Sequence, residues 1–114
     1  MATKIKKLPP VRPGEILAEH FIAGYDKLTA YRVAIGMGLR PPVVYEIISG
    51  KRSITAPLAL RLGRFFGTTP QFWINLQAHY DLEVAEMELG DRVRAEVKPL
   101  ARIIPHLGLN RSGT

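Results

Sequence analysis

The chain has 114 residues, 46% of them hydrophobic, carries a net charge of +6 and contains no cysteine. That length holds one domain with short extensions. Without cysteine there are no disulfides and no thiolate metal sites, and no apolar run approaches the roughly 20 residues that a membrane helix needs.

The N-terminus, MATKIKKLPP, is charged with no apolar segment behind it. It does not read as a secretory signal, and the absence of cysteine suits a cytoplasmic protein. Residues 1–12, with Lys4, Lys6, Lys7 and Arg12 around Pro9 and Pro10, read as a flexible basic arm. Pro13 stands where a first helical residue prefers to be, and Glu15 follows in the first turn, where its charge suits the helix dipole. The first predicted helix runs from about Pro13 to Ala23. It turns Ile16, Leu17 and Phe21, with His20 as a further candidate, toward a core, and it ends at Gly24.

Thr29 is placed to cap a second helix. Tyr31, Val33, Ala34 and Met37 are its apolar positions, and Gly36 inside it costs roughly 1 kcal/mol relative to alanine. Ala34 is followed four residues later by Gly38, then by Leu39, Val44 and Ile47. A small residue, a turn glycine and pinning apolar residues at this spacing fit a helix-turn-helix. An ordinary αα-hairpin fits the same spacing. Pro41 and Pro42 belong in a first turn, so they mark the start of the third helix. It ends near Ser49 with Gly50 as its C-cap. In the helix-turn-helix reading its outward face would enter the DNA major groove.

The loop GKRSIT follows, with the adjacent cations Lys51 and Arg52. Thr55 is predicted to cap a fourth helix striped by Leu58, Ala59, Leu62, Phe65 and Phe66, ending at Gly67. Thr69 caps a fifth helix and Pro70 takes its first position. Phe72, Trp73, Leu76 and Tyr80 share one face of it. That is more apolar area than a four-helix core needs, so these four residues are expected at a dimer interface. From Leu82 the pattern weakens, and a further helical stretch is expected to break at Gly90. Residues 99–114, with Pro99, Pro105 and two glycines, read as a flexible tail. No repeats and no strand-like alternation occur, so the chain is predicted to be all-α.

Charge is unevenly placed. From Lys27 to Arg64 there are seven bases and one acid, Glu46; from Asp81 to Glu96 there are six acids and two bases. The basic middle favours polyanions, although a mixed solvated surface shows the same counts. No catalytic constellation, cofactor site or metal site emerges. His20, His79 and His106 lie on separate elements. His79 and Glu83, four residues apart, fit a surface pair better than two metal ligands. Lys51 and Arg52, with Arg32 and Arg40, are candidate phosphate contacts. On the third helix Arg40 could take guanine or phosphate, Val43 a thymine methyl, Tyr45 either, and Glu46 a cytosine amino group. So few forked donors imply limited direct readout helped by DNA shape.

The segments RPGEILAEHF and ISGKRSITAPLALRLGRFFGTTPQFWINLQAHYDLEVA closely resemble the HigA (VapI-like) antitoxins of bacterial toxin–antitoxin modules, which belong to the XRE, or lambda-repressor-like, helix-turn-helix group. The resemblance covers about Arg12 to Glu86. It implies a five-helix lambda-repressor-like domain at 13–80, with its helix-turn-helix at about 29–49, and an acidic helical extension at 81–98. It further implies a homodimer joined through C-terminal helices, repression of its own operon at double-stranded operator DNA, and contact with a RelE-like, HigB-type mRNA-cleaving toxin. No enzyme activity, membrane or small-molecule substrate is implied. Carried over by position, Thr29, Ala30, Tyr31 and Arg32 begin the helix that spans the DNA backbone. Arg40 to Glu46, Pro42 included, form the reading face, and Lys51 and Arg52 the phosphate-contacting loop. Relatives often carry glutamine where Ala30 stands, and small polar or basic residues where Val43 and Val44 stand. Alternatives are a solitary regulator without a toxin, and an interaction module that no longer reads DNA.

Overall fold

The computed structural model describes residues 8–104. Residues 1–7 and 105–114, which hold most of the expected arm and much of the expected tail, lie outside the described residues. The described residues are helical, with no strand among them. Helix α1 spans Pro13–Ile16 and passes into π-helical turns at Leu17–Ile22. Helices α2 (Ala30–Gly36), α3 (Pro41–Ser49), α4 (Ala56–Phe66) and α5 (Pro70–Glu96) follow, and then a single turn, α6, at Leu100–Ile103. The all-α class and the five principal helices stand where the sequence puts them.

The starts follow local chemistry. Thr29 Oγ1 accepts from the Arg32 amide at 3.1 Å, and Thr69 Oγ1 from the Phe72 amide at 3.1 Å, so two orphan amides at helix N-termini are satisfied. Arg40 is extended, as a residue before proline must be, and Pro41 opens α3. Thr55 is the exception: it occupies the N-cap position of α4, but its side chain makes no capping bond.

The turn between α2 and α3 is closed by Gly38 at φ 74°. Its amide bonds the Ile35 carbonyl and the Leu39 amide bonds the Ala34 carbonyl, both at 2.9 Å. This paired pattern needs a left-handed residue, which glycine adopts without a Cβ clash. The guanidinium of Arg61 adds a third closure, donating to the Met37 carbonyl at 2.7 Å. Gly14 has a different role. A Cβ there would collide with the Ile47 carbonyl oxygen and approach Ile48 Cα within 2.7 Å. Helix α1 therefore crosses directly on the backbone of α3, which fixes the depth at which α3 sits.

The chain divides into two compact units, the first ending at Glu83 and the second beginning at Val84. The core belongs to the first. Leu17, Val33, Val44, Ile47, Leu62 and Trp73 are its largest fully buried side chains. His20 lies on the exposed side of its helix, and Tyr31 is also exposed, so neither serves the core as expected. Gly90 does not break α5. Arg94 reaches Glu86, two turns back, at 2.7 Å and Asp91 at 2.9 Å. A Cβ on Gly90 would meet the tips of Glu86 and Arg94, so this bridge lies directly over the bare backbone. The hydrogen bonds, first to Asp91 and then to Glu86, raise the Arg94 pKa above its ordinary value.

Candidate nucleic-acid interface

Helix α3 is held from below. Val44 and Ile47 are buried in the core, and Ile48 packs against it. With those positions fixed, the helical period brings Pro42, Tyr45 and Ser49 to the surface, where all three are exposed. Arg40 is exposed at the N-terminus of the same helix. Val43 differs from expectation: it is half-buried and packs against the core. Its side chain is fold as much as surface. Ala30, likewise expected at the interface, is half-buried and also packs against the core. On α2, Thr29 is exposed but its hydroxyl oxygen serves the cap, and Arg32 is exposed one turn further on.

The loop that follows α3 is anchored at both ends. At its start, Gly50 is left-handed, φ 86°, and the Lys51 and Arg52 amides both bond the Glu46 carbonyl, at 2.9 and 3.1 Å. At its end, Ile54 is buried, and its amide donates to Gln77 Oε1 at 2.8 Å. Lys51 is thereby presented to solvent.

Two expected contacts are altered by one ion pair. Arg52 Nε donates to Glu46 Oε1 at 2.8 Å, and a terminal guanidinium nitrogen lies 2.6 Å from the same oxygen. The Glu46 carboxylate, expected to accept from a cytosine, is engaged by Arg52. Arg52, expected to hold a phosphate, is engaged by Glu46. Arg61, one of the seven bases of the segment, serves the α2 turn. Among the described residues, Arg32, Arg40 and Lys51 form no ion pair, and they line the α2–α3–loop surface as its available cations.

Arg12, expected in the flexible arm, is part of the fold. It stands at the N-cap of α1, pairs with Glu15 at 3.1 Å, and points a guanidinium nitrogen at the Ile48 carbonyl, 3.5 Å away. A second correction concerns Trp73. Expected at a dimer interface, it is fully buried within one chain. Its ring packs on Phe21 and Phe72, with centroids 4.8 and 5.1 Å away, and its Nε1 donates to Thr68 Oγ1 at 2.7 Å. A ring enclosed in this way has no face left for a second subunit. Phe72 remains about one-third exposed (36%), and Leu76 and Tyr80 are half-buried.

The roles of Gln77 and of the Lys27 backbone carry no signal in the sequence. Gln77 turns its oxygen onto the loop, a contact that only the fold brings about. Lys27 has φ 65° without being glycine, which no sequence pattern announces. Among the described residues no three His, Cys, Asp or Glu side chains gather to hold a metal, and His79 sits 3.5 Å from Glu83. No helix among them is long and apolar enough to cross a membrane.

No family model matches the chain. It is 40% identical over 82 residues to virulence-associated protein I of Dichelobacter nodosus, covering 72% of this chain and 75% of that one. Among solved structures it is similar to an addiction module antidote protein of a HigA family from Coxiella burnetii, with TM-score 0.77 and 46% identity, over 81% of this chain and 99% of that one. It is also similar to the Pseudomonas aeruginosa antitoxin HigA solved with the higBA promoter, with TM-score 0.76 and 38% identity, over 80% of this chain and 98% of that one.

Proposed function

Because the chain belongs to the HigA antitoxin family of helix-turn-helix proteins, we propose that it represses its own operon by binding operator DNA as a homodimer, and that it neutralises an mRNA-cleaving, RelE-like toxin by direct contact in the bacterial cytoplasm. In this reading it has no catalytic activity.

One observation carries the DNA half: α3 is seated by Val44 and Ile47 so that Pro42, Tyr45 and Ser49 face outward, flanked by Arg40 at one end and Lys51 at the other. That is the arrangement a recognition helix needs, with cations placed for phosphates on both sides of a groove. The promoter complex of the Pseudomonas relative supports it. With Val43 turned partly inward and Glu46 paired, Tyr45 and Arg40 are the main groups left for base edges, so DNA shape supplies much of the specificity. Phe72, Leu76 and Tyr80 are the residues of α5 proposed to meet the second copy.

Footprinting the region upstream of the gene tests the proposal. Two protected half-sites related by two-fold symmetry, about 34 Å apart, are expected. Protection without symmetry, or none at low salt with and without the neighbouring gene's product, contradicts it. The toxin half is tested at the neighbouring open reading frame: it should encode a small basic protein that arrests growth alone and loses that effect when this chain is present.

A further inference from the structure

Beside the proposed DNA surface lies a cavity of about 320 Å³ that the DNA reading does not use. Its floor is aromatic and aliphatic: Leu28, Phe65, Phe66 and the ring of Tyr25. Tyr25 stays 56% exposed while stacking on Phe66, their planes 30° apart with centroids separated by 6.5 Å. Two cations, Lys27 and Arg32, stand on the rim together with one acid, Asp26, so the polar lining is net positive. This volume falls at the small end of pockets that hold small molecules, and apolar walls with a few polar groups are their usual composition.

The backbone adds a second observation. The Leu28 amide bonds the Tyr25 carbonyl at 3.3 Å, closing a turn in which Lys27 occupies the left-handed region at φ 65°. Glycine or asparagine would hold that position with less strain. A strained, charged residue at the mouth of an apolar pocket marks a group held for contact.

The geometry points to a binding site for a small apolar carboxylate, its hydrocarbon or aryl part on Phe65, Phe66 and Tyr25 and its carboxylate between Lys27 and Arg32. Arg32 also belongs to the proposed phosphate contacts, so one guanidinium faces two anions. Occupancy of the pocket then weakens DNA binding; this coupling, unlike the site itself, rests on the DNA-binding reading.

The test uses 4-phenylbutyrate and its uncharged counterpart 4-phenylbutanol with the full chain, followed by amide chemical shifts. Saturable shifts confined to Tyr25–Leu28, Arg32 and Phe65–Phe66 are expected, with the acid binding about fivefold tighter than the alcohol, the scale of a partly exposed ion pair. Lys27→Asn keeps the left-handed turn and removes the charge, so it should abolish the preference for the acid. Tyr25→Ser, at an exposed position, should weaken both compounds equally. Shifts scattered elsewhere, no saturation at millimolar concentration, or equal affinity for acid and alcohol overturn the site. So does a change of oligomeric mass caused by the probe or by Tyr25→Ser, which would make the groove an interface between protein chains. Operator titration at saturating 4-phenylbutyrate separates the two claims. Reduced affinity supports the coupling and unchanged affinity refutes it. Probe binding by a chain that never binds DNA would leave the pocket standing and sink the DNA reading.

Discussion

Arg52 folds back over the end of α3 and lays its guanidinium on Glu46, with Nε donating to the carboxylate at 2.8 Å. Both side chains are about 40% exposed, so the pair contributes little stability, on the order of 0–1 kcal/mol. Its larger effect is expected in the proposed DNA complex, because it cancels a cation and an anion at the edge of the proposed reading face. Glu46→Gln should therefore release Arg52 to a phosphate. Operator affinity is expected to rise, and the log–log salt slope to steepen by about 0.9, the value for one added phosphate contact. A loss of affinity confined to one base pair would instead show that Glu46 reads a base.

The cations of the basic segment are proposed to divide by task. Lys51→Gln should weaken binding to all DNA sequences alike and flatten the salt slope. Arg61→Gln should leave the slope unchanged while lowering thermal stability by roughly 1 kcal/mol, because it removes a hydrogen bond to the Met37 carbonyl. Equal effects of the two changes on DNA would refute the division. Salt titrations and melting curves of both variants decide it.

Trp73→Ala should cost roughly 3–5 kcal/mol, the range for an aromatic ring removed from a core. The expected outcome is loss of the folded chain, not a folded monomer. Thr68→Val keeps the volume but leaves the indole N–H without its partner, at about 1–3 kcal/mol. Chemical denaturation of both variants, with mass measured by light scattering, checks the order. A folded, monomeric Trp73→Ala would restore the ring to an interface.

Gly14→Ala probes the crossing of α1 on α3. The added methyl meets backbone, which cannot swing aside as a side-chain tip can, so a loss of about 1–3 kcal/mol is expected. Because the displaced element is the proposed recognition helix, operator affinity should fall even where the variant remains folded. Gly90→Ala is the contrasting case. There the methyl meets only the ends of Glu86 and Arg94, which can move, so the gain in helix propensity, up to about 1 kcal/mol, should prevail. Helicity by circular dichroism should rise; a fall would mean that the Glu86–Arg94 bridge outweighs propensity.

Punctuation was legible in the sequence because its causes are local. Pro41 and Pro42 can open a helix but not continue one, Thr29 and Thr69 need only an amide three residues on, and Gly38 and Gly50 need only a turn. What was not legible depends on partners distant in sequence or on side-chain conformation. Trp73 looked like surplus aromatic area until Phe21, from a π-helical segment, was found against it. Gly90 looked like a breaker, yet a bridge between residues on either side covers it. Arg52 and Glu46 looked like two contacts with DNA; six positions apart, they satisfy each other. Val43 and Ala30 read as DNA contacts by their place on the two helices, yet packing against the core half-buries them.

The Gly50–Thr55 loop is fastened by Ile54 in the core and by Gln77 on its amide. A loop already ordered in the free protein gives up little conformational freedom when a ligand arrives, so a contact made there is not offset by the cost of arranging it. Encounter with DNA is then expected to be governed by charge and diffusion, fast and strongly dependent on ionic strength. The Ile54 amide should be as slow to exchange its hydrogen in the free protein as in the bound one.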